Sequence, residues 1–131
     1  MDEEKLNEIR KKMLINALKK SFEYFPIRYA MLCYDTILKT FNIVVKFDDK
    51  PSLHAADLHD YIYTRYGLDP RFYVVNTLNP MTRERMLKEC EFVEGDREEY
   101  LRDLEEAERE AREFERNLKD VAKLYGVRGS E

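Results

Sequence analysis

Apolar side chains recur every three or four residues through the last third of the chain. Tyr100, Leu104, Ala107, Ala111, Phe114, Leu118, Val121 and Tyr125 are spaced 4-3-4-3-4-3-4, the 3.5-residue repeat of a helix that buries one narrow stripe. Asp96 followed by Glu99 predicts a capping box at its start, and Gly126 predicts its stop. Between the stripe positions stand Glu and Arg, with pairs such as Glu105–Arg109 and Glu108–Arg112 at i,i+4. Alanines at 107 and 111 let a second helix approach closely. Leu104, Ala107, Ala111, Phe114 and Leu118 are therefore interface candidates, packed either inside the chain's own bundle or against a second subunit.

Upstream, the pattern predicts more helices. The first covers about residues 2–24, with stripes through Leu6, Ile9, Met13 and through Leu14, Leu18, Phe22. Pro26 suits the first turn of a second helix, extending to about Phe47, whose apolar positions cover too broad a face for one neighbour. A strand across Ile43, Val44 and Val45 is the competing reading, disfavoured because apolar and polar residues do not alternate there. Ser52 is expected to cap a third helix that ends at Gly67. Asp69-Pro70 and Asn79-Pro80 each read as an N-cap with proline at N1, opening a short helix near 70–78 and a longer one near 80–93. The expected fold is all-α: one domain over residues 1–131, an up-and-down bundle of four to five helices with a long C-terminal helix.

Charge and composition narrow the function classes. Lys and Arg total 23 against 27 Asp and Glu, a net charge of −4, which excludes a globally basic nucleic-acid binder but leaves room for a local basic face. Residues 94–131 carry eight basic and thirteen acidic groups, while thirteen of the sixteen Phe and Tyr lie between Phe22 and Phe92. The middle of the chain thus supplies most of the core, and the last third is a highly solvated element. Two cysteines, Cys33 and Cys90, are too few for a disulfide framework or a multi-cysteine zinc fold. Cys33 is expected to act as a small hydrophobe, and Cys90 to lie in a charged setting. The four glycines form neither a Walker A loop nor a dinucleotide fingerprint. The N-terminus is acidic and the longest apolar stretch is broken by Asp35, Lys39 and Lys46; a cytoplasmic protein without a membrane span is the expectation.

Candidate chemistry is sparse. His54 and His59 lie five positions apart, about 140° around a helix, and do not share a face. His54 with Asp57, and Asp57 with Asp60, do share one, but the set lacks metal-ligand spacing, and no metal or other cofactor is expected. Neither cysteine sits in a nucleophile motif, so the reading leans away from an enzyme. In Tyr61-Ile-Tyr-Thr-Arg-Tyr66, Arg65 lies one turn from Tyr61. Rings beside an arginine can stack unpaired bases and hold phosphate, although tyrosines at helix edges also serve simply to bridge core and solvent. His54, Tyr61, Arg65 and Lys88 are the nucleotide or RNA-binding candidates.

Several segments resemble the HEPN family, the small helical domains of prokaryotic toxin–antitoxin pairs and related RNA-acting proteins. These are Tyr29-Ala30-Met-Leu-Cys33-Tyr34-Asp35, the Pro51-Ser52-Leu53-His54 turn, Leu87-Lys88-Glu89-Cys90-Glu91-Phe92, and Glu106-Ala107 through Phe114. The resemblance implies a helical bundle that often dimerises, and catalytic members that cleave RNA through an Arg-x(4–6)-His motif. That motif is missing: the nearest arginine before His54 is Arg28. What the resemblance implies is a non-catalytic role in binding nucleotide or RNA, or in pairing with a nucleotidyltransferase-like partner, with a homodimer as the expected assembly. A ligand-free helical scaffold and a ribonuclease with an unrecognised site are the alternatives.

Overall fold

Residues 26–47, read from sequence as the central helix, form an antiparallel hairpin instead. In the computed structural model, which describes residues 2–126, β1 spans Ile27–Asp35 and β2 spans Thr40–Phe47. Cross-strand partners include Ala30↔Val45, Leu32↔Ile43 and Cys33↔Asn42. The missing alternation has a physical reason. Tyr29, Ala30 and Met31 on β1 and Ile43, Val44 and Val45 on β2 have no solvent exposure, and strands buried on both faces read as continuous apolar runs. The β-branched run Ile43-Val44-Val45 suits a pleated surface better than a helix interior.

The remaining elements cover both faces of this hairpin. Ahead of it, α1 (Glu3–Ser21) is capped by the Asp2 carboxylate, which accepts from the Lys5 amide at 2.8 Å. After it, α2 (Pro51–Tyr66) begins with proline at its first turn. Lys50, with φ +42°, holds the cap position instead of the expected Ser52, and Gly67, at φ +67°, ends the helix. The expected short helix near 70–78 is a strand, β3 (Arg71–Val74), followed by a single 3-10 turn over Val75–Thr77. Asn79 caps α3 (Pro80–Glu89) through the Thr82 amide at 2.9 Å. That helix stops four residues short of the expected end, and Glu91–Gly95 continue as β4. Asp96 caps α4 (Arg97–Leu124) through the Glu99 amide; its 28 residues span about 42 Å at ~1.5 Å each.

The sheet has the order β3-β2-β1-β4, with β3 parallel to β2 and the other pairs antiparallel. Its presence corrects the all-α expectation: the chain is α+β. Ala30, Leu32, Ile43, Val45 and Phe47 pack with α1 and α2 on one face. Tyr29, Met31 and Val44 pack with α3 and α4 on the other. The C-terminal stripe is divided by this arrangement. Ala107 has no exposure and joins the second cluster, and Leu104 packs against it. Phe114 and Leu118, 39% and 52% exposed, lie on the half of α4 that extends past the body. Among the described residues no helix is long and apolar enough to cross a membrane.

Candidate functional site

A cavity of about 640 Å³ opens where β1 ends, β2 begins and the α3–β4 junction comes alongside. That volume falls in the range of small-molecule sites. The hairpin turn shapes one lip: Asp35 Oδ1 accepts from the amides of Ile37 and Leu38, each at 2.9 Å, an Asx-type turn closed by Lys39 at φ +52°. Tyr34 and Phe41 pack edge to face at 4.9 Å, and the Tyr34 hydroxyl accepts from Asn7 Nδ2 at 3.0 Å, fixing both rings to α1. Across the opening, Lys11 on α1 pairs with Glu91 on β4 at 3.0 Å. Arg85 on α3 also lines the cavity and makes no ion pair among the described residues.

Deeper in the wall stand Asn42 and the two cysteines. Asn42 is 9% exposed, and its Oδ1 has no hydrogen-bond partner among the described residues; a buried acceptor left open costs free energy that most folded chains avoid. Cys33, its cross-strand neighbour, is bonded to Cys90 in a disulfide. This pairing overturns the separate roles expected of the two cysteines: one lies in a strand, the other just after a helix, and the fold brings them together across 57 residues of sequence. The only signal for it in the sequence is an even cysteine count. Asn42 carried no signal, because its importance comes from burial in a strand that was read as a helix.

The sequence-selected residues scatter. His54, at the start of α2, sits 3.5 Å from Asp49 with its ring 5.8 Å from that of Phe47. His59 is drawn to Asp69 at 2.7 Å and packs against Tyr63 and Phe72. Tyr61 and Arg65 do meet, with the guanidinium 5.4 Å from the ring centre, inside a cluster with Tyr24, Phe25 and Tyr66. Burial and the neighbouring Tyr66 raise the Tyr61 hydroxyl's pKa. Lys88 is on α3, across the sheet from all of these, between Glu84 and Glu108 at 3.8 and 3.9 Å. No single concave surface joins the four. Among the described residues, no group of three or more His, Cys, Asp or Glu is set to hold a metal ion.

A polar network fastens α4 over the sheet on the face opposite α1 and α2. Arg28 reaches Glu99 at 2.8 Å, Asp96 at 3.3 Å and Asp48 at 3.4 Å, and the Glu99 hydrogen bond leads in raising its pKa. Lys46 pairs with Asp103 at 2.7 Å, and that carboxylate also accepts from the Tyr29 hydroxyl. These contacts orient the long helix relative to the cavity.

No family model and no curated protein matches the chain by sequence. Solved structures do match by shape. The crystal structure of the MntA-HepT toxin-antitoxin aligns at 8% identity over 90% of this chain and 94% of that one, TM-score 0.61. A tri-AMPylated Shewanella oneidensis HEPN toxin in complex with MNT antitoxin aligns at 8% identity over 90% and 93%, TM-score 0.61. A toxin-antitoxin with AMP-PNP aligns at 8% over 87% and 93%, TM-score 0.60. The fold is one found in HEPN toxin–antitoxin complexes. HEPN toxins, the family named from sequence, are members of such complexes, while the helical bundle that the resemblance implied is replaced here by helices around a four-stranded sheet.

Proposed function

We propose that the chain works in a toxin–antitoxin pair of the HEPN–MNT kind, on its sheet-bearing, nucleotidyltransferase-like side, and that a helical HEPN-type chain is its partner. The supporting observation is the superposition over 90% of this chain and 94% of its neighbour. A four-stranded sheet does not superpose well on a helical bundle at that coverage, which supports a sheet-bearing neighbour. In a two-component complex whose HEPN member is expected to be helical, a sheet-bearing chain is better suited to the other member, and this supports the reading.

In this reading the cavity holds a nucleotide without transferring any part of it. Arg85 supplies positive charge for phosphate, and Tyr34, Phe41 and Tyr73 supply ring faces beside it. Phosphoryl and nucleotidyl transfer depend on carboxylates that hold divalent cations against the phosphates. Here the polar side chain of the inner wall is the neutral amide of Asn42, and the cavity's carboxylates, Asp35, Glu89 and Glu91, are spread around its margin. Calorimetric titration with ATP and Mg²⁺ tests the binding arm: saturable heat that Arg85→Ala weakens at least tenfold, with no pyrophosphate released, is the expected result. Flat heats from the wild-type chain would leave pairing alone, as a ligand-free interaction module. The pairing arm is tested by co-expression with a HEPN-type chain encoded beside it. Elution of the two as separate species would overturn it.

A further inference from the structure

One wall of the cavity is closed by a bond placed where the sheet runs out. Cys90 is the single residue between α3 and β4, and its amide already bonds to the Met86 carbonyl at 3.0 Å, closing the helix. The β1–β4 ladder ends at Leu32↔Glu91. The Cys33–Cys90 disulfide occupies the next rung, with Cα atoms 4.7 Å apart, the spacing of a cross-strand pair without backbone hydrogen bonds. The bond therefore continues the ladder covalently and ties the α3–β4 junction to the central strand. Both cysteines line the cavity, beside Asn42.

The fold holds α3 by other means. Met86 and Leu87 are buried against the sheet, Arg83 pairs with Glu110 at 3.1 Å, and the Tyr100 hydroxyl donates to the Leu87 carbonyl at 2.7 Å. Opening the disulfide thus frees the junction and leaves the helix seated. Cys33 is fixed differently, inside a strand paired to β2, so Cys90 is the side that moves.

We propose that Cys33–Cys90 is a thiol–disulfide exchange site that sets the shape of the cavity. The reductant is a dithiol. Its thiolate attacks one sulfur, forms a mixed disulfide and releases the other cysteine as thiolate. Its second thiol then displaces the first cysteine and leaves as the oxidised dithiol, so two electrons and two protons end on the pair. The sulfurs part from ~2.0 Å to a non-bonded contact of roughly 3.5–4 Å, and the junction takes up that displacement, moving the wall next to Asn42. The inference concerns the wall and holds whatever the cavity binds.

Hydrogen exchange of the full chain, oxidised and after native treatment with dithiothreitol, tests it alongside thiol titration. Two thiols should appear, and amides of residues 88–92 should gain at least tenfold more in exchange rate than those of α1 and β2, which rise together only by the loss of global stability. The double variant Cys33→Ser with Cys90→Ser should show the same pattern without reductant. Three results would overturn the inference: no thiols released under native conditions, two thiols released with exchange at 88–92 unaltered, or protection lost throughout α1 and β2, which would make the bond a staple of the whole fold.

Discussion

Tyr29, with no solvent exposure, donates its hydroxyl proton to Asp103 Oδ2 at 2.7 Å, linking the centre of the sheet to the flank of α4. Ionising that hydroxyl would strand a negative charge in the core against a carboxylate. Burial first, then the Asp103 hydrogen bond, raises its pKa far above the ordinary tyrosine value. A folded pKa above the unfolded one means the folded chain keeps a proton that the unfolded chain gives up. The stability contributed is complete below about pH 10 and is lost as pH rises beyond it. Urea midpoints should hold through neutral pH and fall above about pH 10. Tyr29→Phe should cost about 1–2 kcal/mol at pH 7 and flatten the alkaline fall; an equally steep fall in the variant would place its origin elsewhere.

Gly95 closes β4 opposite Tyr29, at φ +120°. An added methyl group would collide with the Arg28 carbonyl oxygen and the Tyr29 Cα, both backbone atoms that cannot swing aside. Gly95→Ala combines this overlap with a backbone angle that L-residues rarely adopt. A loss of about 3 kcal/mol is expected, read as a lower urea midpoint with an unchanged slope. Gly67→Ala, at φ +67° with nothing near the added carbon, should cost only about 1 kcal/mol.

These two glycines mark what the sequence makes legible and what it hides. Signals written in neighbouring residues were readable: the Asp96 cap, the Asn79-Pro80 start of α3 and the Gly67 stop all hold. The sheet was not, because its evidence is tertiary. Ile43-Val44-Val45 loses its alternation when α2 covers one face and α3 and α4 cover the other, and Arg71–Val74 is too short to show a period before it pairs with β2. The site suffered the same fate. Tyr61 with Arg65 was found because a helix turn brings them together, whereas Asn42, Cys33 and Cys90 meet only through strand register and a 57-residue separation.

The divided stripe of α4 gives opposite outcomes for neighbouring substitutions. Ala107 is wholly buried where α4 crosses the second core cluster. Ala107→Leu must force three more carbons into a filled space, at a cost of about 1–3 kcal/mol. Phe114, at the same phase of the helix and two turns on, is 39% exposed. Phe114→Glu should lower stability by no more than about 1 kcal/mol in dilute protein. Thermal melts of both variants check this, and a Phe114→Glu chain that failed to fold would show the overhanging half of α4 to be core.

Removing the disulfide should weaken the chain without unfolding it. Closing a loop of 57 residues restricts the unfolded ensemble by about 4 kcal/mol in the chain-entropy account. That figure is an upper value, since the unfolded chain is more compact than an ideal coil. What remains is substantial: eleven buried residues form the cluster under α1 and α2, and neither cysteine belongs to it. The reduced chain should therefore keep its far-ultraviolet circular dichroism and a cooperative urea transition, shifted by about 2–4 kcal/mol. The shift should lie in the midpoint together with a steeper slope, because the reduced unfolded chain exposes more surface. A slope that fell on reduction would instead signal a native state already partly open.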